Sequence, residues 1–284
     1  MQAKPAHQEL AAPPPASQGP RLLDQVRNEI RLRHYSIRTE HAYCEWVVRF
    51  VRFHDLRHPR EMGAPEITAF LTHLATHANV AASTQNQALN ALVFLCKHVL
   101  GREPGDFGEI VRAKRPIREP TVMSGDEVER FMTHLSGTHK LMALLMYGAG
   151  MRIIEVIRLR VKDIDFDLRC ITVRDGKGQK DRQVPLPSKA ADALKAQIAR
   201  VKTIHDQDLR DGFGTVYLPY ALERKYPNTN KVFHWQYLFP SPTLSVDPRS
   251  GRKQRHHVYE SVLQEAIRHA TREAGIRKDV HAHT

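Results

Sequence analysis

The chain has 284 residues, 41% of them hydrophobic, which is enough to bury a core and a length that favours two domains over one. Lys and Arg outnumber Asp and Glu 43 to 31, and the net charge of +12 favours polyanionic partners, nucleic acid first. Cys44, Cys96 and Cys170 are odd in number and far apart, which argues against a disulfide framework; the longest apolar run, Leu141 to Tyr147, is too short to cross a bilayer, so a cytoplasmic chain with no membrane partner is expected.

Residues 1–20 are rich in Ala, Pro and Gln, and Pro13, Pro14 and Pro15 stop any helix, so a disordered leader is expected there. From Leu22 to Val99 the apolar spacing is helical: Leu22, Val26 and Ile30 share one face, and Trp46, Phe50 and Phe53 another. Ser83 and Thr84 precede the series Leu89, Leu92, Val93 and Leu95, which predicts a capped helix. A small helical domain over 21–111 follows from this pattern. The basic, proline-punctuated stretch 112–121 holds no regular element and marks the linker, leaving 122–284 as a second domain.

In that second domain Ser124 and Gly125 lead into a helix over Asp126–Leu135, with acidic residues in its first turn, and another helix is expected over Lys140–Tyr147. Ile171 and Val173, then Val184 and Leu186, flank the polar turn Asp175 to Asp181 as a hairpin, and Pro185 and Pro187 confine its second strand to a sheet edge. A helix is predicted from Ser188 to about Ile204. Residues 205–255 read as mostly loop with an aromatic cluster that includes Tyr217, Trp235 and Tyr237, and a last helix spans about Val258 to Glu273.

Four stretches carry chemistry in this order: Gly148-Ala-Gly-Met-Arg152-Ile-Ile-Glu155; Leu159-Arg-Val-Lys-Asp-Ile-Asp165; Gly176-Lys177-Gly178 running into Val184-Pro-Leu-Pro187; and His283-Thr284. Taken singly, Arg152 and Glu155 would make an ordinary salt bridge one helical turn apart, and Lys177 a solvated turn lysine. Together the four resemble the catalytic domain of tyrosine recombinases, and almost everything after Leu22 is covered by the likeness. The resemblance implies a mainly α fold with a small antiparallel β-sheet (α+β): an N-terminal helical, SAM-like core-binding domain and a tyrosine-recombinase catalytic domain.

By that resemblance Arg152 is the first of two phosphate-clamping arginines, Glu155 its acidic partner, Lys177 the general acid that protonates the leaving 5′ oxygen, and His283 the first residue of a His-x-x-Arg motif. A planar guanidinium suits the clamp because it meets two phosphate oxygens and stays charged as negative charge builds. No residue 286 is present to be the second arginine, and no tyrosine follows His283. The expectation is therefore a C-terminally truncated recombinase that binds DNA without completing strand cleavage. The resemblance further implies a homo-tetramer on two DNA sites when full length, with no cofactor, neither metal nor ATP. A non-catalytic DNA-binding truncated protein is the alternative.

The segment from Trp235 through Asp247-Pro248-Arg249 to Arg255-His256-His257 resembles the extra insertion of integron integrases, here around 235–257, which recognises bases extruded from a folded single-stranded recombination site. That resemblance implies integration or excision of gene cassettes, with both folded single-stranded and duplex DNA as partners. Trp235, Pro248, His256 and His257 are expected at extrahelical bases, because aromatic faces and a proline cover an unstacked base, and Arg249, Arg252, Lys253 and Arg255 at phosphates. A duplex-specific phage-type recombinase, with residues 241–257 a surface loop, is the competing branch. In the helical domain Arg38, Ser83, Thr84 and Asn86, with Arg31, Arg33, His34 and Gln85, are candidate phosphate contacts, though they also suit ordinary caps and solvent faces.

Overall fold

The computed structural model describes residues 21–105, 121–176, 180–219 and 222–282. The expected leader 1–20 and all of the expected linker but Thr121 lie outside them, as do Lys177 and His283. The chain divides into two compact units, Met1–Arg118 and Glu119–Thr284.

In the first unit four helices enclose one core. Helix α1 (Leu22–Leu32) buries Val26 and Ile30, four residues apart on one face. Helix α2 (Ile37–Phe53) starts at Ser36, whose hydroxyl accepts from the Thr39 amide at 3.1 Å, and buries Trp46 and Phe50. Phe53, expected inside with them, is 37% exposed at the helix end and leans on Phe70 and His73. Helix α3 (Ala64–Thr76) follows, its Glu66 carboxylate accepting from the Gly63 amide at 2.7 Å. Helix α4 (Ala82–Phe94) begins at Ala81 without a side-chain cap, so Ser83 and Thr84 lie inside its first turn rather than ahead of it. A π-turn over Leu95–Val99 continues α4 and seats Leu95 and Cys96 in the core.

The second unit opens with α5 (Gly125–Thr133), closed by a reciprocal cap: the Ser124 hydroxyl accepts from the Glu127 amide and the Glu127 carboxylate from the Ser124 amide. Helix α6 (Gly137–Ala149) ends on Gly150 at φ 61°, a left-handed turn that glycine adopts without strain. The short helix α7 (Ile153–Ile157) follows at once. Strands β1 (Ile164–Asp165), β2 (Cys170–Val173) and β3 (Arg182–Pro185) make an antiparallel sheet in that order, with Ile171 opposite Val184 and Val173 opposite Arg182. Pro185 sits on the edge strand, where the missing amide proton costs no ladder bond.

Helix α8 (Ala191–Arg210) outruns its expected end by nearly two turns. Its buried stripe continues past Val201 through His205 and Asp208, polar residues that hydropathy cannot assign to a core face. The short α9 (Leu222–Lys225), the hairpin of β4 (Ser245–Val246) and β5 (Lys253–Gln254), and α10 (Glu260–Glu273) complete the unit. The long connection after α8 is ordered by a small cluster of its own, Val216, Leu218 and Tyr237, with Trp235 against it. Leu145, Val156, Ile171, Leu194, Leu238 and Leu263 are fully buried, and each such burial is worth about 2 kcal/mol. No helix among the described residues is long and apolar enough to cross a membrane.

Candidate nucleic-acid interface

The second unit presents two side-chain centres, one at each end of α7. Arg152 occupies the cap position of α7, where the extended backbone leaves its side chain outside the helix and 45% exposed. Glu155, one turn on, turns back inward with its carboxylate 4% exposed. That carboxylate accepts from the Arg152 backbone amide at 2.8 Å and from Arg152 Nη1 at 3.1 Å. It also accepts a bidentate pair from Arg182 of β3, Nη1 to Oε1 at 2.8 Å and Nη2 to Oε2 at 2.7 Å. The Arg182 guanidinium, with the Arg152 amide and side chain behind it, outweighs burial and brings the Glu155 pKa down to about 2. Glu155 is therefore ionised at any working pH, and the Arg152 side chain stays open to solvent over nearly half its surface.

Gly176 fits against this centre because it has no side chain: a Cβ there would lie 2.8 Å from Arg182 Nη1 and 3.0 Å from the Lys180 carbonyl oxygen. Beside the hairpin, Arg174 Nε pairs with the buried Asp163 at 2.8 Å, and the Asp175 amide donates to Asp181 at 3.0 Å. These contacts hold Arg174 and Asp175 in place on one side and Asp181 on the other; Lys177 lies outside the described residues.

At the other end of α7 the chain passes through Arg160, which is buried and reaches the segment that holds Tyr217, Trp235 and Tyr237. Its Nη1 donates to the Trp235 carbonyl at 2.6 Å, its Nη2 to the Tyr217 carbonyl at 2.8 Å, and its guanidinium lies 4.6 Å from the centre of the Tyr237 ring. His256 and His257 stand side by side with ring centres 4.0 Å apart, and the Tyr237 ring meets them at 5.3 and 5.1 Å. Burial lowers the pKa of both histidines, that of His257 to about 4, while His257 Nδ1 donates to the Val258 carbonyl at 2.7 Å. Both rings are neutral at pH 7 and present an uncharged aromatic surface. Trp235 is half-buried, and Lys162 Nζ sits 2.9 Å from its ring centre. Burial, then repulsion from Arg174, lowers the Lys162 pKa to about 8. This arrangement can stack a flat ring and hold an adjoining anion.

Other expected residues fall into distinct groups. Pro248 and Arg249 are exposed at the tip of the β4–β5 hairpin, in a turn that Asp247 closes by accepting from the Arg249 and Ser250 amides at 3.1 and 2.6 Å. Arg252 pairs with Glu223, and Lys253 lies over Phe213. Arg255 departs from expectation. It is committed inward, Nε and Nη2 to the buried Asp208 at 2.5 and 2.6 Å and Nη1 to the Ser241 and Pro242 carbonyls, so its guanidinium anchors its own segment to α8 rather than facing a phosphate. In the first unit Arg38, Ser83 and Asn86 line one cleft of about 890 Å³ between α2 and α4, with Gln87 and Asn90 beside them. Thr84 is half-buried one residue from that lining. Gln85 points the other way, buried and donating to the Leu71 carbonyl at 3.0 Å. Arg31 is paired with the buried Glu40. Among the described residues no group of three His, Cys, Asp or Glu side chains could hold a metal ion.

Comparison with known proteins bears on the whole chain. The phage integrase N-terminal SAM-like domain matches residues 22–106, and the phage integrase family matches residues 121–284. The chain belongs to the phage integrase family of tyrosine recombinases. It is 45% identical over 273 residues to proteins named integrase/recombinase from Escherichia coli and Pseudomonas aeruginosa, covering 96% of this chain and 81% of each of theirs. The tyrosine recombinase XerA of Thermococcus kodakarensis is 31% identical over 183 residues, 62% of this chain and 61% of that protein. Among solved structures, lambda integrase bound as a dimer to a core site aligns with a TM-score of 0.52 at 12% identity, over 90% of this chain and 78% of that one. The Tn1549 transposon integrase in complex with circular-intermediate DNA gives 0.53 at 14% identity, over 92% and 83%. At these identities the likeness shows the fold: a helical SAM-like domain and a mainly helical domain with small antiparallel sheets.

Arg182, Arg160, Lys162 and Asp208 escaped the sequence reading. Arg182 becomes visible only once the register places it opposite Val173, next to α7. For Arg160 and Lys162 the sole signal was their place in the Leu159–Asp165 stretch, which says nothing of Trp235, the residue that both meet, 75 positions beyond Arg160.

Proposed function

We propose that this tyrosine recombinase is an integron integrase, acting on folded single-stranded as well as duplex recombination sites to integrate or excise gene cassettes through a 3′-phosphotyrosine intermediate. The supporting observation is the patch in which Trp235, Tyr237 and two neutral histidines lie together under the cations Arg160 and Lys162, at the far end of the helix that carries Arg152. An extrahelical base stacks on Trp235, His256 and His257, with Pro248 at the rim, while Arg249 and Lys162 meet the flanking phosphates. Arg255 contributes by fixing the insertion, not by touching DNA.

In this reading Arg152 clamps the scissile phosphate, Glu155 orients it, Lys177 protonates the leaving 5′ oxygen and His283 assists at the phosphate. The domains divide as 21–111 and 122–284, with 112–121 a basic strap along the backbone, and Arg38, Ser83, Thr84 and Asn86 contact duplex phosphates from the α2–α4 cleft. The working assembly is a tetramer on two DNA sites.

Tryptophan fluorescence tests the base-stacking step, because Trp46 is buried in the first unit and Trp235 is the ring within reach of DNA. Hairpin DNA with bulged bases should quench the emission, and Trp235→Phe should abolish the quench. Equal quenching by a perfectly paired hairpin would place the chain in the duplex-specific branch.

A further inference from the structure

Glu155 has two carboxylate oxygens and four donors aimed at them, and the donors are not equivalent. Arg182 takes the parallel two-bond pairing that arginine and carboxylate favour, at 2.8 and 2.7 Å. The Arg152 guanidinium holds only the longest of the four contacts, 3.1 Å through one nitrogen. It is also the more exposed of the two side chains, 45% against 34%. Arg152 and Glu155 are one helical turn apart, so without Arg182 the carboxylate would be free to close the same two-bond pair with Arg152. The room for Arg182 is built in: Gly176 leaves open the space that a Cβ, 2.8 Å from Nη1, would take.

We propose that Arg182 is a positioning residue that occupies Glu155 and thereby keeps the Arg152 guanidinium turned outward and available to a phosphate. Arg182 need not touch DNA. It acts by denying Arg152 an internal partner, and Glu155 still holds the Arg152 backbone through the 2.8 Å amide contact. The inference rests on the reading of Arg152 as the phosphate clamp.

A double-mutant cycle on the 284-residue chain tests it, using a labelled DNA duplex at fixed salt, since phosphate contacts are largely indifferent to sequence. Arg152→Ala should weaken binding about 10-fold in the otherwise unaltered chain, the size of one charge-assisted hydrogen bond. In an Arg182→Met background the same change should cost less than about 3-fold, because Arg152 is then already captured. Adding Glu155→Gln to Arg182→Met should restore the affinity, an effect that a purely structural tie would not produce. Equal losses from Arg152→Ala in both backgrounds would overturn the inference. No loss in the unaltered chain would instead overturn the clamp reading beneath it. Thermal melts check that each variant is folded. If Arg182→Met does not fold, Arg182→Lys, which can form one bond but not the pair, should give an intermediate Arg152→Ala loss, and a full 10-fold loss there would also overturn the inference.

Discussion

Replacing Glu155 by Gln removes one charge from a carboxylate that is 4% exposed and contacted by two guanidinium groups and a backbone amide. The structure sets the size of the effect. A pKa lowered from 4.5 to about 2 corresponds to about 3 kcal/mol of stability at pH 7, reduced in practice because Arg152 and Arg182 are partly solvated. We expect Glu155→Gln to cost about 2–3 kcal/mol at pH 7, which for a domain of this size lowers the melting temperature by roughly 5–10 °C. The sign follows from linkage: the folded-state pKa is depressed, so the contribution is complete above the unfolded value near 4.5 and is lost as pH falls toward about 2. Urea denaturation of both proteins at pH 7 and pH 3 reads this directly, and the gap should shrink by roughly half at the lower pH. A gap that is the same at both pH values would show that Glu155 acts through packing and shape, and the electrostatic account of the Arg152 centre would fail.

Three further outcomes follow from the geometry. Arg255→Ala should destabilise the second unit by about 3 kcal/mol, because it strands the buried Asp208, and urea denaturation should show this with no DNA present; a stable variant that merely binds DNA less well would restore Arg255 to the phosphate-contact set. His257, with its pKa lowered to about 4, takes up its proton more readily in the unfolded chain, so stability should fall as pH drops from about 6.5 to 4; His257→Phe should flatten that slope in melts across the window, and an unchanged slope would count against the burial argument. Gly148→Ala would place a Cβ 2.8 Å from Pro187 Cγ on a rigid ring, so a loss of about 1–3 kcal/mol is expected by thermal melt, against a gain if the helix simply preferred alanine.

Local chemistry carried much of the fold in the sequence. Ser124 capping α5, the left-handed stop at Gly150 and the hairpin from β2 to β3 rest on neighbouring residues whose propensities agree with the structure. Hydropathy failed where a buried face is polar: the last turns of α8 bury His205 and Asp208, and the pairing of Asp208 with Arg255, 47 residues on, has no local signature. The site divides the same way. Arg152 and Glu155 are readable as a one-turn pair, while the stronger partner of Glu155, Arg182, reaches it across the sheet from 27 residues away. Adjacent histidines on an extended segment would ordinarily face apart, yet His256 and His257 pack together because Tyr237 covers both rings. Such contacts depend on Tyr237 returning to Arg160 and on Pro240 pairing with His257, and periodicity encodes neither.

The most direct test of the integron-integrase reading is the affinity ratio between two hairpin DNAs of identical stem, one carrying bulged bases and one perfectly paired, measured at a single salt concentration. Stacking of one base on an aromatic surface is worth about 1–3 kcal/mol, so the bulged hairpin should bind roughly 10-fold tighter or more, and His256→Ala with His257→Ala should remove most of that preference while leaving duplex binding intact. Equal affinity for the two hairpins would contradict the account and leave a recombinase that recognises only duplex DNA.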